Sequence, residues 1–270
     1  MTLAERRLVA REATISTLLA GTLAALLLWT TPPGIDWAAH AYQRTFLLQH
    51  GFAIWNNFWY AGRYSFITYS VLYYPLAALF GIRVLALASV AGAACAFSIV
   101  AFRQWGPMSR LSSRAFAVLW VGIIGSAAFP FALAMSFALL SLWALQERRR
   151  ARFAICAVLT LAASPLAFGF LVVFLAGIAL ARRSVRDARV QVIAVAACVA
   201  AELVLTRLFG EGGMFPYGLL QLAPSLAFGV LGLIVTRGVP PPRTAVSYKK
   251  QTLPTKMIVY ISVVAVKIKK

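Results

Sequence analysis

Residues 83–102 read RVLALASVAGAACAFSIVAF, twenty residues whose only charge is at the first position. A helix needs about 20 consecutive apolar residues to cross the hydrocarbon core of a bilayer, and this run supplies them without a break. Working outward, apolar runs recur at 14–31, 115–129, 131–146, 153–163, 165–181, 190–208 and 218–236, giving eight candidate spans with 83–102 included. Hydrophobic residues make up 61% of the 270-residue chain and charged residues 12%, where a soluble domain carries about 25% charge. The composition predicts an all-α, polytopic integral membrane protein with about eight transmembrane helices. Several runs fall short of a full span, so one pair is open to a re-entrant reading.

The first run follows MTLAERRLVAREA and is not followed by an A-x-A cleavage signal. It reads as an uncleaved signal-anchor helix. Residues 1–13 are then a cytoplasmic N-terminus, and residues 14–237 are the membrane domain.

Net charge is +19, but its distribution argues against nucleic acid. The arginines cluster between apolar runs, at Arg6, Arg7 and Arg11, at Arg103, Arg110 and Arg114, at Arg148 to Arg152, and at Arg182 to Arg189. That spacing is the positive-inside pattern, with anionic membrane lipids as ordinary partners. With the N-terminus in the cytoplasm, only Arg44, Arg63, Arg83 and Arg207 of the twenty arginines fall on the outer side. The expected location is a bacterial inner membrane, crossed several times. Cys95, Cys156 and Cys198 lie inside apolar runs without CxxC spacing and read as small buried hydrophobes.

This topology puts residues 32–82 on the outer face. Asp36 to Phe80 holds both histidines, three of seven tryptophans and six of nine tyrosines. From Asp36 to His50 the period is helical, with Asp36, His40, Gln43, Arg44 and His50 in one arc about 120° wide and mostly apolar residues around the rest. It reads as an amphipathic helix at the membrane surface. Gly51 stops it, an aromatic connector follows, and a second short helix runs from about Ser70 to Phe80 with Pro75 near its start. Farther on, Ala163-Ser164-Pro165 breaks an apolar run, and 209–217 form another outer loop. Residues 1–248 contain twenty arginines and no lysine, whereas 249–270 contain six lysines and no arginine. Residues 238–270 are therefore an atypical basic tail, expected to reflect a frameshift, a fused end or a truncated reading frame.

Asp36 is the sharpest chemical feature. A carboxylate at the end of a span can act as general base toward a hydroxyl or amine. It also sits where a helix dipole favours an acid, and it can pair with His40 at i,i+4. His40 can orient that carboxylate, share its proton, or bind a diphosphate when protonated. Arg44 and Arg63 suit a phosphate through charge-assisted bonds. Tyrosine and tryptophan faces suit sugar rings and equally suit the lipid interface. Asp36 and His40 lack a third ligand nearby, so neither a metal nor a cofactor is expected. Glu202, inside a span with Arg207 five residues on, reads as a paired structural acid. No residue pattern specifies an oligomeric state.

The order of these features resembles a family. An acid opens the outer loop after the first span, followed by the connector N-N-x-W-Y-x-G-R (56–63) and then Y-S-x-L-Y-Y-P-L-A-A-L-F-G (69–81). This is similar to the first module of the GT-C superfamily of polytopic glycosyltransferases, and to uncharacterised bacterial membrane proteins described as 6-pyruvoyl-tetrahydropterin-synthase-related. The resemblance covers roughly residues 14–102. It implies a sugar taken from a polyprenyl-phosphate donor for an envelope acceptor, with Asp36 as catalytic base. It further implies substrate contacts from His40, Arg44, Trp59, Arg63, Tyr69 and Tyr73. Asp36 stands alone where many members carry paired acids, and the chain lacks the long second half usual in the superfamily. A non-catalytic protein that binds or carries envelope lipids or polymers is the alternative expectation.

Overall fold

The computed structural model describes residues 3–53, 55–56, 65–66, 70–182 and 189–208, together with 223 and 227. The described chain is helical apart from one small ladder, in which Trp55–Asn56 (β1) pairs antiparallel with Ser65–Phe66 (β2), Trp55 opposite Phe66. Two compact units divide it, Met1–Val173 with Arg186–Glu211, and Phe174–Val185 with Gly212–Lys270. The second unit's described residues are the last half of one helix with positions 223 and 227, and the site described below lies in the first.

Among the described residues three helices are long and apolar enough to cross a membrane. They are α1 (Leu3–Thr30), α4 (Ile82–Trp105) and α7 (Phe129–Gln146), and α4 lies between the other two. Pro32 and Pro33 end α1 because proline cannot continue the ladder, and the hydroxyls of Thr30 and Thr31 donate to the carbonyls of Leu26 and Leu27. Small residues let α1 and α4 come close. Ala20, Ala24, Ala86 and Ala94 are all fully buried, and a Cβ on Gly21 would lie 3.8 Å from that of Ala91. Between α4 and α7 the Ser136 hydroxyl donates to the Ser89 carbonyl at 2.7 Å.

The remaining helices of this unit are shorter or broken. The 115–129 run divides into α5 (Arg110–Trp120) and a single turn, α6 (Ile123–Ser126), with Ala127 beyond it at φ 58. α8 (Arg150–Ala163) has 14 residues, about 21 Å of helix at 1.5 Å per residue, against a hydrocarbon core of about 30 Å. The break expected at Ser164-Pro165 is present, with Ser164 extended before α9 (Pro165–Arg182), and α10 (Arg189–Leu208) packs on α8. The tail from 238 onward, the loop 209–217 and the run 218–236 lie outside the described residues, apart from positions 223 and 227. Of the eight spans expected, helix length supports three among the described residues.

Contacts sort the helix ends into two groups. At a basic end, the Arg114 guanidinium bonds both oxygens of Glu12 at 3.0 Å, Arg110 approaches Glu12 at 3.5 Å, and Arg103 pairs with Glu147 at 3.3 Å. At the opposite, aromatic end lie the α1 exit, α6 and the α8–α9 break. Two short helices cover that end, α2 (Trp37–His50) and α3 (Tyr73–Phe80). Ala162 lies in the last turn of α8 and Ser164 is extended, so the ladder breaks before Leu166 can reach the Ala162 carbonyl, which is left without a helical partner. The backbone N–H groups of Val71 and Leu72 and the Ser70 hydroxyl donate to it at 3.0–3.2 Å, which pins the start of α3.

Candidate functional site at the aromatic end

Asp36 is placed by backbone, not by its side chain. Ile35 and Asp36 donate their N–H groups to the carbonyls of Gly125 and Ser126, at 3.4 and 3.0 Å. The close approach depends on Gly34, because a Cβ there would meet the Ile124 carbonyl at 2.6 Å and the Gly125 carbonyl at 2.8 Å. Asp36 then precedes α2 with φ −85 and ψ 5, and its carboxylate forms no capping bond. Half-buried, that carboxylate makes no hydrogen bond or ion pair among the described residues. One residue on, Trp37 sets its ring edge-on to Phe129 at 5.8 Å. The guanidinium of exposed Arg83 lies over both indoles, 5.6 Å from Trp37 and 5.9 Å from Trp29, a cation–π shelf.

α2 is turned opposite to the simplest amphipathic expectation. Its buried residues are Ala39, His40 and Gln43, while Leu48 is 56% exposed. His40 and Gln43 of the polar arc face protein, where α3 and the 124–128 turn supply partners for His40, while Trp37, Ala41 and Leu47 also pack on the core and His50 is exposed. Arg44 shows the same logic, its Nε donating to the Ala77 carbonyl in α3 at 2.8 Å. That carbonyl also accepts the Gly81 N–H at 2.9 Å, and the bond places a cation on the last turn of α3, at the negative end of its dipole.

His40 is 1% exposed. Its Nε2 lies 2.8 Å from the Ala127 carbonyl and its Nδ1 lies 3.2 Å from the Tyr74 hydroxyl. A carbonyl only accepts, which assigns the proton to Nε2. In the neutral ring Nδ1 then accepts from Tyr74. Burial pushes the imidazole below its ordinary value of 6.5, opposed by the Ala127 bond and by the field of Asp36. With both nitrogens engaged and the ring enclosed, His40 clamps α2 to α3 and to the 127 turn. The diphosphate contact expected of it has no geometry here.

Tyr73 is fully buried, its ring 5.6 Å from that of His40, and its hydroxyl has no hydrogen-bond partner among the described residues. Burial raises its ionisation far above the usual tyrosine range. Trp59, Arg63 and Tyr69 lie outside the described residues, as does the connector between β1 and β2. Among the described residues no three His, Cys, Asp or Glu side chains converge on one point. A shallow groove with about 30 Å³ of enclosed volume lies between α2 and α3. Gln43 is on its wall, roughly 10 Å along α2 from Asp36 on the same face.

Sequence reasoning missed Gly34, Ala127 and the Trp29–Arg83 contact. Pro32-Pro33-Gly34 was a legible signal for a tight connector, but its partner lies about 90 residues away. Comparison with protein-family models, with curated proteins and with solved structures finds no match.

Proposed function

We propose that the chain is a multi-pass bacterial inner-membrane protein of the GT-C kind, N-terminus in the cytoplasm and aromatic end outside. It transfers a sugar from a polyprenyl-phosphate donor to an envelope acceptor. The observation that supports this most is the carboxylate of Asp36, half-buried, fixed by its backbone and neutralised by no cation among the described residues. A base must keep its lone pairs available, and an acid held by a clamp or a salt bridge does not.

In the proposed reaction an acceptor hydroxyl gives its proton to Asp36 and its oxygen bonds the anomeric carbon. The bond from that carbon to the phosphate oxygen breaks, the polyprenyl phosphate leaves with the electron pair, and the sugar inverts. Arg83, stacked on the indole next to Asp36, joins Arg44 and Arg63 as a cation for the leaving phosphate. Trp29 and Trp37 offer flat faces for a sugar ring. His40 and Tyr74 hold the scaffold instead of touching substrate.

Sugar release from polyprenyl-phosphate donors by the wild-type chain and by Asp36→Asn tests the reading. A loss of at least a hundredfold in the variant is expected, and equal rates would remove Asp36 from the mechanism.

A further inference from the structure

The corner between α3 and α4 is apolar and uncovered. Gly81, at φ 81, ends α3 and opens α4 with no other residue between them. α3 reads YYPLAALF, without a charge, and at its end Leu79 is 77% and Phe80 58% exposed. Val84, in the first turn of α4, is 50% exposed. Farther along, α4 is covered, with no exposed residue from Ser89 to Phe102. Contiguous apolar surface of this kind marks an interaction site, and two observations choose the partner.

The first is continuity. Along its apolar part α1 exposes Leu18, Thr22, Leu26 and Trp29, at spacings of four, four and three that form one stripe. The Arg83 guanidinium lies 5.9 Å from the Trp29 ring, so the stripe ends against the first turn of α4. α1 is long and apolar enough to cross a bilayer, and hydrocarbon would cover this outward stripe.

The second is the level of Arg83. No carboxylate among the described residues pairs with it, and its guanidinium lies over two indoles at the end of a helix of spanning length. Tryptophan and snorkelling arginine gather at the depth of lipid headgroups. α2 differs, because past its first turns it exposes Thr45, Leu48, Gln49 and His50, three of them polar.

We infer that the α3–α4 corner docks into one leaflet of a phospholipid bilayer. Leu79, Phe80 and Val84 lie among the acyl chains, Arg83 is level with the phosphates, and the exposed side of α2 stays toward water. A polyprenyl phosphate would present its own phosphate at the same level, but the docking itself requires no sugar transfer.

Photolabelling of the wild-type full chain tests it, in nanodiscs of phosphatidylcholine carrying a diazirine on the acyl chain. Label is expected on residues 79–84 at least tenfold above that on 45–50. Absence of label from 79–84 overturns the inference, as does equal label on 45–50. The readout involves no turnover, so a chain that transfers no sugar is labelled in the same way. Depth is read separately by spin labels in a chain with Cys95, Cys156 and Cys198 replaced by serine. Labels at Leu79→Cys and Phe80→Cys are expected to meet oxygen more often than a water-soluble nickel chelate, and a label at Gln49→Cys the reverse. Chelate contact that dominates at 79 and 80 overturns the inference. A disulfide between two Phe80→Cys chains would put a second copy on the corner and overturn it equally.

Discussion

An imidazole enclosed by protein and bonded through both nitrogens stabilises a fold only while it stays neutral. His40→Phe keeps the aromatic volume beside Tyr73 and Phe129 but loses the bonds to Ala127 and Tyr74. Two such bonds contribute about 1–3 kcal/mol together, so the variant is expected to unfold at lower temperature in detergent. The pH dependence has a definite sign. Burial holds the folded-state value below 6.5, so as pH falls through 6.5 the unfolded chain takes up a proton that the folded chain resists. Thermal stability is therefore expected to be flat above about pH 7.5 and to decline below 6.5, and His40→Phe is expected to flatten that part of the decline. A rise in stability on acidification would mean that attraction from Asp36 outweighs burial.

At the scale of elements, the connector after α1 decides where the carboxylate stands. A methyl group at Gly34 meets backbone carbonyls at 2.6 and 2.8 Å, which cannot yield as a side chain would. Overpacking of this kind costs about 1–3 kcal/mol. Gly34→Ala is expected to lift the connector from Gly125 and Ser126, seen as faster hydrogen exchange at the Ile35 and Asp36 amides. Adding Ala127→Gly is expected not to restore protection, because it removes a side-chain contact and leaves both carbonyl contacts in place. Much of this end was legible in advance. Gly51 does stop α2, the helix expected from about 70 to 80 appears as Tyr73–Phe80, and Pro75 sits within its first turn. The orientation of α2 was not legible, because a polar arc turns toward whichever neighbour can bond it. In a membrane that neighbour is as readily protein as water. The contact from Gly34 to Ile124 was hidden for a different reason, since nothing local to either stretch encodes the other.

For the whole molecule, arginine spacing carried the most information. The clusters around Arg11, Arg110 and Arg148 fall on stretches that the structure joins at one end through Glu12 with Arg110 and Arg114, and through Arg103 with Glu147. Glu12 is 3% exposed in its side chain, whereas Arg114 is 46% exposed. Removing both of its cations, Arg114 and Arg110, therefore strands a buried charge, and removing the charge strands only solvated cations. Arg110→Met with Arg114→Met is expected to cost about 3 kcal/mol, clearly more than Glu12→Gln in the same unfolding assay, and Arg114→Met alone less than the pair because Arg110 remains beside Glu12. Two fixed ties then set the height of the bundle. Glu12 meets Arg114 at the basic end, and Asp36 meets Ser126 at the aromatic end, so the short, broken α5–α6 run reaches as far as α1 does. If α1 crosses a bilayer, the α5–α6 run crosses beside it despite its break at Val121-Gly122. In a chain with Cys95, Cys156 and Cys198 replaced by serine, an impermeant maleimide is thus expected to label Thr31→Cys and Ser126→Cys in intact cells. Met108→Cys and Arg150→Cys are expected to react only after permeabilisation. Labelling of all four from one side would break the alternation, and the reverse pattern would turn the protein over, putting Asp36 and its groove in the cytoplasm.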